Sequence, residues 1–182
     1  MIGREDSANR HRVLLTAKQI QQRVGELAQQ ISQDFQGKVI HAVCVLENGF
    51  VFMADLIRAL DAEVVCHFIR PDFTERGSTT EIFYSPEPIV KGADVLLVET
   101  LVDSGVTTEF LLRNVLARGA ATVKLVALFD RQASRRTSLQ PDYFGFLVDE
   151  PFVFGYGLGA PQAGRNLPHL VAAEKKRVVS AT

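Results

Sequence analysis

The stretch VLLVETLVDSGVT, residues 95–107, decides how this chain folds. Val95, Leu96, Leu97 and Val98 read as a buried strand, and Glu99, Asp103, Ser104, Gly105 and Thr107 then crowd into a short turn. The following EFLLRNVLARG (109–119) sets Phe110, Leu111, Val115 and Leu116 at helical spacing. A strand that ends in acids, small residues and hydroxyls just before a helix suits a phosphate-sugar cradle. Free N–H groups at a helix start favour an anion, and Ser and Thr add donors. The carboxylates could meet ribose hydroxyls or a metal. An ordinary capped turn suits the same residues, and pattern alone leaves both readings open.

Outward from this motif the chain alternates strands and helices. Residues 1–12 read as a flexible polar arm, residues 13–175 as one domain and residues 176–182 as a tail. Thr16 and Gln19 have the spacing of a capping box. The helix they open carries Ile20, Val24, Leu27, Ile31 and Phe35 on one face, and Gly37 stops it. VIHAVCVL (39–46) is a nearly continuous apolar run, as expected of a strand covered on both faces. FVFMADLIRAL (50–60) reads as helix and EVVCHFI (63–69) as strand. Residues 70–88 predict a mobile loop that can hold a short hairpin around EIFYS. Gly119 ends the helix after the opening motif, TVKLVALF (122–129) gives another strand, and YFGFLV, FVFGY and HLVAA complete a set of short ones. The expected architecture is α/β, a mainly parallel sheet with helices on both faces.

Composition agrees with a globular chain. The 182 residues are long enough for one sizeable core, and 47% are hydrophobic. A formal charge of −1 argues against broad, charge-driven nucleic-acid binding. No apolar run approaches a membrane span, so no membrane partner is expected. Cys44 and Cys66 sit inside apolar runs and predict buried free thiols in a reducing, cytoplasmic setting. His11, His41, His67 and His169 form no ligand cluster, and neither cysteine belongs to a CxxC pair. GxSxG, GxxxxGK[ST] and GxGxxG are absent.

In sheets of this kind ligands bind beyond the carboxyl ends of the strands. That edge would gather Glu47, Asn48 and Gly49 after one strand, the acid-hydroxyl turn after the next, and Asp130, Arg131, Arg135 and Arg136 after a third. A carboxylate turn for ribose, amides and hydroxyls for phosphate, and arginines for further phosphate charge make a coherent set.

Five segments carry a resemblance across residues 14–172: LLTAKQIQQRVGELAQQIS, FMADLIRAL, VLLVETLVDSGVT, DYFGFLV, and FVFGYGL with GRNLP. Together they resemble the hypoxanthine-guanine phosphoribosyltransferases, within the type I phosphoribosyltransferases. The resemblance implies a parallel sheet flanked by helices with a small hood formed by the chain ends. It implies transfer of 5-phosphoribosyl from phosphoribosyl pyrophosphate to a 6-oxopurine, hypoxanthine or guanine, in purine salvage, with Mg²⁺ and release of pyrophosphate. It also implies a homo-oligomer, and a purine base or nucleoside monophosphate as partner. By position, Glu99 would bind ribose hydroxyls directly or through metal, and Asp103 would contact ribose and act as the general base. Ser104, Gly105, Val106 and Thr107 would wrap the 5′-phosphate. Phe152 would stack on the purine, the Val153 backbone would meet its Watson–Crick edge, and Arg131 would stand at its 6-oxo group. Asn48, Gly49, Arg135 and Arg165 would face pyrophosphate.

The chain also departs from that pattern. Thr100 stands where the family has a second carboxylate, and Gly159 where it has a metal-supporting aspartate. Arg131 replaces the usual lysine, and a planar fork does not act as a point charge does. Glu47 brings an acid into the loop that normally meets pyrophosphate, and the Ser-Tyr pair of the mobile lid is not recognisable in RPDFTERGSTTEIFYS. Three functions follow as expectations: an active 6-oxopurine transferase, a catalytically weakened nucleotide-binding or regulatory relative, or a transferase with a different acceptor.

Overall fold

The computed structural model describes residues 11–73, 80–84, 90–159 and 164–173. Residues 1–10 of the expected arm, the tail at 176–182, and residues 74–79 and 85 of the lid segment lie outside the described residues. The chain's first strand, β1, spans His11–Leu15, so His11 and Arg12 belong to a strand rather than to an arm. Helix α1 spans Ala17–Asp34 and opens on the expected capping box. The Thr16 amide donates to Gln19 Oε1 at 2.9 Å, and the Gln19 amide donates to Thr16 Oγ1 at 3.3 Å. Ile20, Val24, Leu27, Ile31 and Phe35 are all buried, as their spacing predicts.

Strand β2 (Ile40–Val45), helix α2 (Phe50–Ala59) and strand β3 (Val64–Phe73) follow. Strand β4 (Thr80–Tyr84) folds back antiparallel on β3, pairing Ile69 with Tyr84 and Phe73 with Thr80. The hairpin allowed for EIFYS therefore forms, and it lengthens β3 past the expected end at residue 69. Strand β5 (Asp94–Val102), helix α3 (Val106–Ala117) and strand β6 (Thr122–Asp130) form the central crossover. Strands β7 (Tyr143–Leu147), β8 (Val153–Phe154) and β9 (Leu170–Ala173) complete the chain.

Two sheets result. The larger runs β4-β3-β2-β5-β6-β7, parallel except for β4 at one edge. The smaller is an antiparallel hood, β1-β9-β8, which brings the two ends of the described chain together. Alternation along β5 shows why the central strands read as continuous apolar runs. Leu96 and Val98 pack with α1 and α2 on one face, and Val95 and Leu97 pack with Leu111 and Val115 of α3 on the other. Leu14, Leu15 and Leu170 join the core under α1 and α2, which seats the hood on that face. Phe110 and Leu116, expected on the buried stripe of α3, are exposed, because α3 turns Thr108, Leu111 and Val115 inward.

The cysteines divide. Cys44 is buried and free, and burial pushes its thiol up to about 12. Cys66 is free but exposed, against the expectation of burial. It lies in the part of β3 that β4 does not reach, since pairing with β4 starts at Ile69. The strand histidines satisfy each other, with His41 Nδ1 and His67 Nε2 3.1 Å apart. No helix among the described residues is long and apolar enough to cross a membrane.

Candidate functional site

Strands β2 and β5 are parallel neighbours, from Ile40 opposite Asp94 to Cys44 opposite Val98. The chain leaves β2 toward β3 on one side and leaves β5 toward β6 on the other. Their carboxyl ends therefore bound the crevice where an open α/β sheet binds ligands. A cleft of about 230 Å³ opens there, lined by Val45, Asn48, Pro71, Glu99, Thr100 and Thr107 among others.

Strand β5 runs on through Glu99 and Thr100, so both lie on a strand and not in the turn, and both are buried. Glu99 Oε2 accepts from the Thr108 hydroxyl at 3.1 Å. Its other oxygen, Oε1, is buried with no hydrogen-bond partner among the described residues. Burial pushes the Glu99 carboxyl up to about 7, against the smaller opposing pulls of the Thr108 hydroxyl and the Arg135 charge. Buried carboxylate oxygens are ordinarily satisfied, so this one marks Glu99 as a candidate ligand contact in the cleft. Thr100 instead donates its hydroxyl to the Asn48 carbonyl at 2.7 Å.

The turn after β5 has the form a phosphate cradle needs. Gly105 precedes α3 with φ +81°, a left-handed conformation that suits glycine. A Cβ there would stand 2.5 Å from Thr137 Oγ1 and 2.9 Å from Arg135 Cδ. The Val106 amide donates to Ser104 Oγ at 3.4 Å, and Thr107 lines the cleft. Asp103 is half-exposed, and its carboxylate accepts from Arg131 Nη1 at 3.1 Å and from the Ser134 hydroxyl. Arg131 is itself buried, with its Nε unpartnered among the described residues.

Arg135 is committed within the protein. Its guanidinium donates to the buried Asp130 carboxylate, to the Leu139 carbonyl and, through Nε at 3.1 Å, to the Asp103 carbonyl. The Arg136 amide adds a bond to the Ser104 carbonyl at 2.8 Å. Arg135, expected to face pyrophosphate, thus sits behind the turn and fastens it to the segment after β6.

The loop after β2 converges on the hood. Gly49 caps α2, and a Cβ there would lie 2.6 Å from the Val45 carbonyl and 2.9 Å from Cys44 Sγ. Arg165 Nη1 donates to Asn48 Oδ1 at 2.5 Å and to the Gly157 carbonyl at 2.8 Å. Arg165 Nη2 stands 3.6 Å from Glu47 Oε2. Arg165 also lies flat against Gly159, where a Cβ would meet Nε at 2.7 Å. Phe152 is exposed at the start of the hood strand and Val153 is half-buried in β8.

A phosphoribosyl transferase domain matches residues 13–161. The hypoxanthine-guanine phosphoribosyltransferase of Bacillus subtilis is 33% identical over 165 residues, covering 87% of this chain and 91% of that one. This chain belongs to the hypoxanthine-guanine phosphoribosyltransferase family. A crystal structure of a Bacillus anthracis hypoxanthine-guanine phosphoribosyltransferase superposes with a TM-score of 0.84 at 34% identity, covering 90% of this chain and 97% of that one. A mutant hypoxanthine phosphoribosyltransferase of Trypanosoma cruzi in a ternary substrates complex gives 0.84 at 29% identity, with 89% and 94% covered.

For the magnesium that this family implies, the donor set is small. No group of three or more metal-capable side chains occurs among the described residues. The unmet Glu99 oxygen nevertheless fits Mg²⁺, which is commonly held by one or two carboxylates plus substrate oxygens. Two contributors escaped the sequence reading. Thr108 holds Glu99, and Ser134 holds Asp103. The repeated threonine at 107–108, in the first turn of a helix after a phosphate-type loop, was a usable signal for the first. Ser134 lies in a 3-10 turn, Gln132–Ser134, whose path depends on the Arg135 contacts.

Proposed function

We propose that this protein transfers 5-phosphoribosyl from phosphoribosyl pyrophosphate to hypoxanthine or guanine, with release of pyrophosphate. The observation that carries this reading is the buried Glu99 oxygen left unmet in the cleft, one strand-end away from the left-handed phosphate turn. Glu99 binds the ribose hydroxyls there. The amides and hydroxyls of Ser104, Gly105, Val106 and Thr107 hold the 5′-phosphate at the start of α3. Phe152 stacks on the purine, the Val153 backbone meets its edge, and Arg131 donates to the 6-oxo group. Arg165, with Asn48 and Gly49, receives the pyrophosphate.

The bond from the anomeric carbon to pyrophosphate oxygen breaks and a bond to purine nitrogen forms. Asp103 accepts the proton that the purine loses. Glu99 would be the protein ligand of a magnesium ion, which would supply charge neutralisation for the departing diphosphate. The rest of the rate comes from holding a sugar that gains positive character close to a pre-positioned base.

Purified protein with Mg²⁺, phosphoribosyl pyrophosphate and either base should release pyrophosphate. A second reading draws on the Arg131–Asp103 pair, which engages the proposed base before any purine arrives. In that reading the chain is a nucleotide-binding or regulatory relative with weak turnover. Absence of pyrophosphate release with every base, while a nucleoside monophosphate still raises the melting temperature, favours it over the first. Release with another acceptor and none with hypoxanthine or guanine favours a transferase with a different acceptor, the alternative that Arg131 and the changed lid suggest.

A further inference from the structure

Arg165 has one side of its guanidinium committed and one side available. Nη1 is held by Asn48 Oδ1 and the Gly157 carbonyl, and the guanidinium lies against the Gly159 backbone. Nη2 faces Glu47, at a separation of 3.6 Å that is too long for a strong hydrogen bond and leaves room for another acceptor. Glu47 itself is exposed over 63% of its side chain and its described contact is this ion pair. It contributes charge to the place without contributing much to the fold. The loop that carries it is pinned from below, since Thr100 holds the Asn48 carbonyl. That anchor keeps the loop backbone, and so the root of the Glu47 side chain, beside Arg165.

We propose that Glu47 is a specificity-determining residue, a negative charge that its anchored loop keeps in the neighbourhood of Arg165 and that makes the site take cation-bound diphosphate in preference to the free anion. This rests on the reading of Arg165 as the diphosphate ligand. A free diphosphate carries several negative charges and meets both Arg165, which attracts it, and Glu47, which repels it. A divalent cation removes most of that repulsion and leaves the attraction of Arg165. At a partly exposed site, one carboxylate a few ångströms from an incoming anion is worth roughly tenfold in affinity.

Calorimetric titration of the full chain with inorganic pyrophosphate, once in excess Mg²⁺ and once in EDTA, tests it for wild type, Glu47→Gln and Glu47→Ser. Exposure of Glu47 makes both variants safe for folding. Wild type should bind far more tightly in Mg²⁺. Both variants should tighten binding in EDTA by roughly tenfold and change binding in Mg²⁺ much less, so that the two affinities draw together. An unchanged affinity in EDTA, or an equal gain in both buffers, overturns the inference alone. Pyrophosphate that binds none of the three proteins in either buffer overturns the phosphoribosyl-transfer reading as well.

Discussion

Thr100 of β5 donates its hydroxyl to the Asn48 carbonyl at 2.7 Å, so one strand holds the loop that follows its neighbour. The residue is 1% exposed, so its hydroxyl depends on this acceptor. Thr100→Val keeps the volume but leaves the Asn48 carbonyl without this donor. It should lose about 1–3 kcal/mol in urea unfolding and raise the KM for phosphoribosyl pyrophosphate more than it lowers kcat. Thr100→Asp sets a negative charge against the Asn48 carbonyl and should destabilise more than the valine variant. Equal stability of wild type and both variants removes the anchoring role.

Glu99 gives the unliganded protein a pH dependence of definite sign. The folded carboxyl titrates near 7, raised by burial from its ordinary 4.5. Below 4.5 it is protonated in both folded and unfolded chains. As pH climbs from 4.5 to about 7 the unfolded chain ionises first, so this group's contribution to stability is lost over that window and stays lost above it. Glu99→Gln should flatten the window and gain up to about 3 kcal/mol at pH 8 in denaturant titrations. The same variant should bind phosphoribosyl pyrophosphate poorly. A stability profile identical to wild type contradicts the burial of an ionisable group here.

The Arg135–Asp130 pair is almost wholly out of water, with side chains 12% and 1% exposed. Removing the cation leaves Asp130 charged and unmatched apart from Gln132. Arg135→Ala should therefore cost about 3–5 kcal/mol in unfolding experiments. Because Arg135 also holds the Asp103 carbonyl, the variant should loosen the phosphate turn and expose its amides to faster hydrogen exchange. Unaltered exchange at residues 103–107 shows that the turn holds its shape without this strap.

Asp103→Asn preserves shape and removes the proton acceptor. Pyrophosphate release should fall by about 10²–10⁴-fold, the usual loss when a general base is removed. A rate equal to wild type takes Asp103 out of that role.

Much of this fold is legible locally. Strands β2, β5 and β6 read as apolar runs because both of their faces are covered. Helix α1 announces itself through Thr16, Gln19 and a single buried face. What hid from the sequence depends on distant partners. Strand β1 exists because β9, more than 150 residues later, pairs His11 with Ala173. Pro71 reads as a break, yet β3 passes through it. Beyond Ile69 the pairing with β2 has ended, so β3 bonds only to β4 there and one side of it carries no ladder to interrupt. At the site, the sequence pattern groups Glu99 with Asp103 in one acid-hydroxyl segment, although Glu99 lies on β5 and not in the turn, and Arg165 is singled out only through the family resemblance. The use of Arg135 as a strap is not legible there, because a loop arginine shows its acceptors only after Asp130, Leu139 and the Asp103 carbonyl have been brought together.

The ladder between β2 and β5 has a consequence for how such a protein changes over time. The loop at Glu47–Gly49 and the turn at Asp103–Thr107 leave from two strands locked in register, Cys44 opposite Val98, and adjacent strands stand about 4.8 Å apart. Backbone hydrogen bonds thereby set the spacing of the two strand ends from which these loops leave, and the Thr100 hydroxyl carries that hold into the first of them. The exposed Glu47 side chain can then be exchanged without altering the spacing of the two strands, and chemistry can drift on a gauge that stays fixed.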